Sequence, residues 1–248
     1  MIQDILAKPK VEIIIVSYNN PEMERYTLQA TARATLYPNV DFTMRRNAPG
    51  RHLSAFWNEL IAQSDAEYIC LLNPDTIPAT GWLTKLVEIL GKMPKVGAVV
   101  PSSNAVFLSQ VDVGDLQAIA EDIDEFQHNK LQNRPVTSLP TLSAMCVLFR
   151  RKAWENAGGF DERFRLYGED SEFFWRLKNK NDWELAWRQD AFVWHIKNQT
   201  MFKAMEEEGL DILAIRAESE TLLEELTGLG IKHEMRPVSS HRATADGS

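Results

Sequence analysis

The chain has 248 residues, 44% hydrophobic and 25% charged, which suits one large α/β domain with a buried core. A formal net charge of -8 argues against a broad nucleic-acid footprint, which would need a basic face. No run of 18 or more apolar residues occurs and the N-terminus is too short and polar for a signal peptide, so the expectation is a cytoplasmic protein, with peripheral contact at a membrane left open.

Residues 11–16 (VEIIIV) form a β-branched run that predicts a strand buried on both faces, as in parallel sheets. Ser17 to Pro21 break it, and Pro21 suits the start of a helix over 22–36. A strand over about 40–45, a helix over 53–63 and a buried strand over 67–72 follow, the last stopped by Asn73, Pro74 and Asp75. A helix over 80–92 and a strand over 96–100 complete a βαβαβαβ alternation. That alternation predicts a doubly wound, mostly parallel sheet flanked by helices, with ligands at the carboxyl ends of its strands. Residues 18–20 and 73–75 lie just past strand ends and should share one cleft.

The second half is less regular. It predicts a helix near 114–131, a strand over 142–149, a short helix over 151–156 stopped by Gly158 and Gly159, a helix over 169–178, and short strands near 184–187 and 191–194. Residues 199–227 read as an amphipathic helical stretch that covers the core or mediates a homodimer, without a catalytic part. The tail from Arg236 reads as flexible. Cys70 and Cys146 sit inside apolar runs and read as buried reduced thiols.

Three constellations carry chemistry. In Asn73-Pro74-Asp75-Thr76, a carboxylate at a strand end can hold Mg²⁺ or Mn²⁺ against a diphosphate, although the same residues also make a plain turn. Gly158 to Phe164, then Gly168-Glu169-Asp170-Ser171-Glu172, put three acids at the start of a helix whose body is aromatic. The macrodipole favours acids there, and a cleft edge can use one as a general base. Val193-Trp194-His195 ends a strand with an imidazole suited to Mn²⁺.

Together these resemble family-2 inverting glycosyltransferases of the GT-A (Rossmann-like) fold, over roughly residues 11–196 and in the family's order. Val16-Ser17-Tyr18-Asn19 resembles the opening strand end, and residues 35–40 the junction to the second strand. Residues 71–76 resemble the DxD metal motif, Gly168-Glu169-Asp170 the acceptor-side ED motif, and His195 the late metal-binding histidine. The NPDT and GGFDERF forms are most similar to a rhamnosyltransferase-like branch using dTDP-, UDP- or GDP-sugars. The resemblance implies a catalytic domain over 1–198, with a donor half to about 101 and an acceptor half after it, then a helical extension over 199–230 and a flexible tail over 231–248.

By the same resemblance Asp170 is the general base, and Asp75 and His195 hold Mn²⁺ or Mg²⁺. Glu169, Glu172 and Met145 line the acceptor side, Glu169 and Glu172 orienting the acceptor or a neighbouring arginine. Ser17, Tyr18, Asn19, Arg46, Arg51, Asn58, Asn73 and Asp75 meet the donor. The acceptor implied is a glycan or lipid-linked glycan. Two departures stand out: Arg46 occupies the place of the family's base-reading Asp, and the loop after it runs almost directly into the next helix. Arg46 or Arg51 could then meet donor phosphate. Competing readings are a non-catalytic sugar-binding or scaffold member of the fold, and a phage-type enzyme acting on modified DNA bases.

Overall fold

The computed structural model describes residues 8–106, 108–196, 209 and 211–228. Its strands, in chain order, are β1 (Val11–Ser17), β2 (Val40–Arg46), β3 (Tyr68–Leu72), β4 (Thr76–Pro78), β5 (Val96–Ser102), β6 (Val136–Ser138), β7 (Cys146–Arg150) and β8 (Glu184–His195). The helices are α1 (Pro21–Ala34), α2 (Leu53–Gln63), α3 (Trp82–Lys92), α4 (Ala120–Leu131), α5 (Arg151–Ala157), α6 (Glu169–Lys180) and α7 (Ile212–Thr227). The strands order as β2-β1-β3-β7-β5-β8-β4, with β6 added against β8.

The α/β class holds, but the sheet is mixed rather than mostly parallel. β1 runs parallel to β2 and to β3, and β5 parallel to β8. β7 enters antiparallel between β3 and β5, and β4 and β6 pair antiparallel with β8. A strand buried on both faces shows its burial in its composition and not its direction, so residues 146–150 carry no mark of the reversal. The expected strands near 184–187 and 191–194 are one strand, β8, with a register irregularity where Pro101 pairs Arg188 and Ser102 pairs Phe192. The short strands β4 and β6 were not expected from sequence.

Local chemistry explains the elements. β1 is almost wholly buried between two helical layers. Pro21 opens α1, and Asn20 caps it by accepting the Met23 N–H at 3.4 Å. Trp82, Leu83, Leu86 and Leu90 make a fully buried face on α3. On the other side of the sheet an aromatic cluster anchors α6, with the Phe173 ring 4.2 Å from Phe160 and 5.1 Å from Phe174. Cys70 and Cys146 are buried free thiols, as expected.

α7 covers residues 212–227 of the amphipathic stretch, while residues 199–208 and the expected tail lie outside the described residues. Ile215 and Leu223 are buried within this chain beside α6, while Leu213 on the same helix is exposed. Among the described residues no helix is long and apolar enough to cross a membrane.

Candidate active site

Asp75 and His195 lie side by side at the β4–β8 ladder. β4 begins one residue after Asp75, and Thr76 lies opposite His195 in the β4–β8 ladder. The Ile196 N–H donates to the Asp75 carbonyl at 2.9 Å. Those bonds bring His195 Nε2 to 3.3 Å from Asp75 Oδ1, with both side chains largely buried. The Asp75 loop is fixed from below: Thr27 on α1 donates its hydroxyl to the Pro74 carbonyl at 2.5 Å, and Thr76 donates to the Asn73 carbonyl at 2.8 Å. His195 is held by Asn104, whose amide accepts the His195 N–H at 2.7 Å and donates to its carbonyl at 3.0 Å. His195 Nδ1 lies 3.0 Å from the Ala105 carbonyl. A carbonyl only accepts, so Nδ1 carries a proton and Nε2 faces Asp75.

The second centre is the start of α6. Gly168 turns the chain at φ +82, and a Cβ there would come within 2.9 Å of the Phe164 ring, so only glycine fits. Asp170 then accepts the Ala144 N–H at 2.9 Å through Oδ2 and the Ser171 N–H at 2.7 Å through Oδ1. Glu169 accepts the Tyr167 N–H at 2.6 Å. Tyr167 has φ +119, a strained value for a residue with a side chain, beside the two carboxyls. Burial and the Asp170 charge push Glu169 up to about 8. Burial also raises Asp170, while the hydrogen bonds from Ala144 and Ser171 oppose the rise. Near neutral pH Glu169 therefore holds a proton.

That assignment has a consequence for stability. A carboxyl whose folded pKa of about 8 exceeds its ordinary 4.5 favours the fold below about 4.5, and that contribution is lost as pH rises toward 8. Glu169→Gln, which keeps an acceptor for Tyr167, should raise the melting temperature relative to wild type at pH 8 and change it little at pH 4.5. Equal shifts at both pH values would show that Glu169 is ionised throughout.

A short route joins the two centres. β3 and β7 pair with Leu72 opposite Cys146, the Asn73 N–H donates to the Met145 carbonyl at 2.8 Å, and the next N–H back, at Ala144, holds Asp170. Between α6 and α7 lies a cavity of about 190 Å³ lined by Ser143, Tyr167, Glu169, Asp170, Arg216 and Glu220, among others. The Arg216 guanidinium sits 4.9 Å from the Tyr167 ring centre. α7 therefore forms one wall of the pocket holding Asp170, which corrects the expectation that this helix only covers the core.

Other expected site residues fall elsewhere. Met145 contributes its backbone, and its side chain is in the core. Glu172 is committed to the alternative role of orienting an arginine: Arg176 grips it through Nε at 2.6 Å and Nη2 at 2.8 Å, and also donates to the Gly159 carbonyl. Asn58 is a clamp on the Gly159 turn, accepting the Phe160 N–H at 2.8 Å and donating to the Phe160 carbonyl at 2.9 Å. Arg51 pairs with Glu59 and lies 4.1 Å over the Phe56 ring. Arg46 pairs with Glu24, to which Ser17 also donates. Asn19 sits in the left-handed region at φ +43, and Tyr18 OH is 3.3 Å from Asn47 Nδ2. Glu24, Thr27, Asn104, Tyr167 and Arg216 were missed. Only Tyr167 adjoins a motif, and Glu24 reads as an ordinary acid of a first helical turn.

The fold has counterparts among known proteins. Among solved structures, a mannosyltransferase from Pyrobaculum calidifontis in complex with GDP-Man and Mn²⁺ matches at TM-score 0.56 and 14% identity, over 90% of this chain and 73% of that one. GalNAc-T7 with UDP, GalNAc and Mn²⁺ matches at 0.58 and 13%, over 87% and 52%. An O-antigen biosynthesis protein of Myxococcus xanthus is 24% identical over 207 residues, 68% of this chain and 16% of that protein. An N-acetylglucosaminyl-diphospho-decaprenol L-rhamnosyltransferase of Mycobacterium tuberculosis is 28% identical over 149 residues, 53% of this chain and 47% of the relative. The chain thus spans less than half the length of these curated relatives. The model of the glycosyltransferase-like family 2 matches residues 1–209, with Asp75, Asp170 and His195 all inside the match. The chain belongs to the glycosyltransferase-like family 2 and has the GT-A fold.

Proposed function

We propose that the chain is an inverting, metal-assisted glycosyltransferase that moves a sugar from a nucleoside-diphosphate donor to a hydroxyl of a glycan or lipid-linked glycan, reached from the cytoplasmic side. The observation that supports this reading most is the two-residue backbone link between the Asp75–His195 pair and the Asp170 carboxylate, which joins them across the paired ends of β3 and β7. Family membership supports it, and so do the structural neighbours, one in complex with UDP, GalNAc and Mn²⁺ and the other with GDP-Man and Mn²⁺.

The residues present fit a divalent cation. With Nδ1–H given to Ala105, the Nε2 lone pair and a carboxylate oxygen face one another at 3.3 Å. Two acceptors at that distance repel unless a cation or a second proton lies between them. Carboxylate and imidazole both suit Mn²⁺, and Asp75 and His195 are the residues that would hold it. When bound, the cation neutralises charge on the departing diphosphate. Thr27 and Asn104 keep Asp75 and His195 in place. Asp170 takes the proton from the acceptor hydroxyl as it attacks the anomeric carbon, and the Ala144 and Ser171 N–H groups hold the carboxylate in position. The proton on Glu169 keeps a second negative charge out of the pocket.

The test is binding and turnover together. Nucleoside diphosphate should be released from a matching donor sugar in Mn²⁺ or Mg²⁺ and not in chelator. His195→Ala should weaken Mn²⁺ affinity, measured by titration in the presence of nucleoside diphosphate, by at least the roughly 10–100-fold typical of losing a supporting group. A lowered melting temperature with unchanged Mn²⁺ affinity would make His195 a structural residue, and full turnover in chelator would sink the metal's role.

A further inference from the structure

Ser17 ends β1, Arg46 ends β2, and the two lie opposite one another in the parallel register. Ligands of open α/β sheets lie along this carboxyl edge. Asp75 follows β3, on the other side of β1. Neighbouring strands are about 4.8 Å apart, so β2 stands about 10 Å across the sheet from β3. With a diphosphate at Asp75, Arg46 falls toward the nucleoside.

Arg46 is not a loosely solvated surface cation. Glu24, in the first turn of α1, takes its Nε at 3.0 Å and its Nη2 at 3.0 Å in a fork. Glu24 is itself fixed: the Ser17 hydroxyl donates to it at 2.9 Å and the Asn20 N–H at 3.3 Å. The Arg46 guanidinium holds the Glu24 carboxyl below its usual range, and its side chain is only 13% exposed, against 51% for Arg46. A guanidinium has five N–H donors. The fork uses the Nε side, and Nη1 has no partner among the described residues. The open edge is therefore a pair of parallel donors, held in one orientation and accessible to solvent. The adjacent Asn47 Oδ1 is buried without a hydrogen-bond partner among the described residues, so this corner holds a second polar group that the protein alone leaves unsatisfied.

We propose that Arg46, oriented by Glu24, reads the base of the donor and selects guanine nucleotides; this rests on the nucleotide-sugar reading above. A donor-only fork needs two acceptors on one edge of a base. Guanine offers O6 and N7 together. On the same edge adenine and cytosine place an amino donor and thymine sets its O4 beside a carbon-bound methyl group; cytosine has two adjacent acceptors, N3 and O2, only on its pairing edge, next to the amino group, which makes CDP the necessary comparison. A carboxylate in this place would accept an imide N–H from a pyrimidine; an arginine reverses that preference. A bidentate pair of this kind is worth about 5- to 150-fold in discrimination.

The test titrates the full chain, in Mn²⁺, with GDP, UDP, dTDP and CDP by calorimetry. GDP should bind at least about tenfold more tightly than the others. Arg46→Ala and Arg46→Lys should both erase that margin by weakening GDP while leaving UDP unchanged, since lysine keeps the charge and loses the fork. Melting temperatures near wild type would show that both variants are folded. Tighter binding of UDP, dTDP or CDP to wild type, or equal affinity for all four, overturns the proposal. So does an equal loss for every diphosphate in Arg46→Ala, which would make Arg46 a phosphate contact. Binding of none of the four would instead overturn the nucleotide-sugar reading itself.

Discussion

Asp170→Asn is expected to lower sugar transfer by about 10²-fold or more, the usual contribution of a positioned general base. The substitution is nearly isosteric, but it is not silent for the fold. Both carboxylate oxygens accept a backbone N–H, from Ala144 and from Ser171, and the amide can accept only one of them through its oxygen. The N–H left facing the amide nitrogen costs about 1–3 kcal/mol, or several degrees of melting temperature in a domain of this size. Folded protein with transfer nearly abolished is therefore the expected result. Donor affinity should stay close to wild type, because Asp75 lies just before β4 and His195 at the end of β8, on other elements than Asp170. Single-turnover transfer measured beside nucleoside-diphosphate titration separates these effects. Glu169→Gln is the comparison. It should keep most of its transfer, because Glu169 is already protonated near neutral pH. Near-normal transfer in Asp170→Asn with loss in Glu169→Gln would move the base to Glu169.

The second large effect is expected from removing α7. A chain ending at Gly209 loses Ile215 and Leu223 from the buried surface beside α6, and Arg216, Ser219 and Glu220 from the wall of the Asp170 cavity. It also loses the cation over the Tyr167 ring, an interaction of about 0.5–2 kcal/mol that helps hold a strained residue next to both carboxyls. A displacement of about 1 Å at a reacting pair can cost about 10²-fold in rate, so transfer should fall by that order even where the domain still folds. Nucleoside-diphosphate binding should survive, because none of its expected contacts lies on α7. Restoring only the packing residues gives a finer measurement: in the full chain, Arg216→Ala should raise the acceptor KM with donor affinity unchanged. A truncated chain that is folded and transfers sugar at full rate would return α7 to the role of a simple cover.

The sequence by itself determined the elements whose signals are local. The β-branched run of β1, Pro21 at the head of α1, the Asn73-Pro74-Asp75 stop after β3 and the glycine before α6 act within a few residues, and the structure places each where the pattern put it. Family motifs with fixed spacing made Asp75, Glu169, Asp170 and His195 legible as well. The tertiary structure alone decided what depends on partners far apart in the chain. Strand direction is one case, since β7 reverses against β3 and β5 while its composition matches that of a parallel strand. Side-chain commitment is another. Asn58, Arg51 and Glu172 look available in the sequence, yet each is engaged by a group that folding brings to it: the Phe160 backbone, Glu59 and Arg176. Arg46 shows the opposite case, a residue whose orientation exists only because Glu24, 22 positions earlier, reaches it across the strand end. Arg216 lies 46 residues beyond Asp170 on a helix that reads only as amphipathic, so its place in the pocket wall follows from how α7 packs beside α6 and has no local signal.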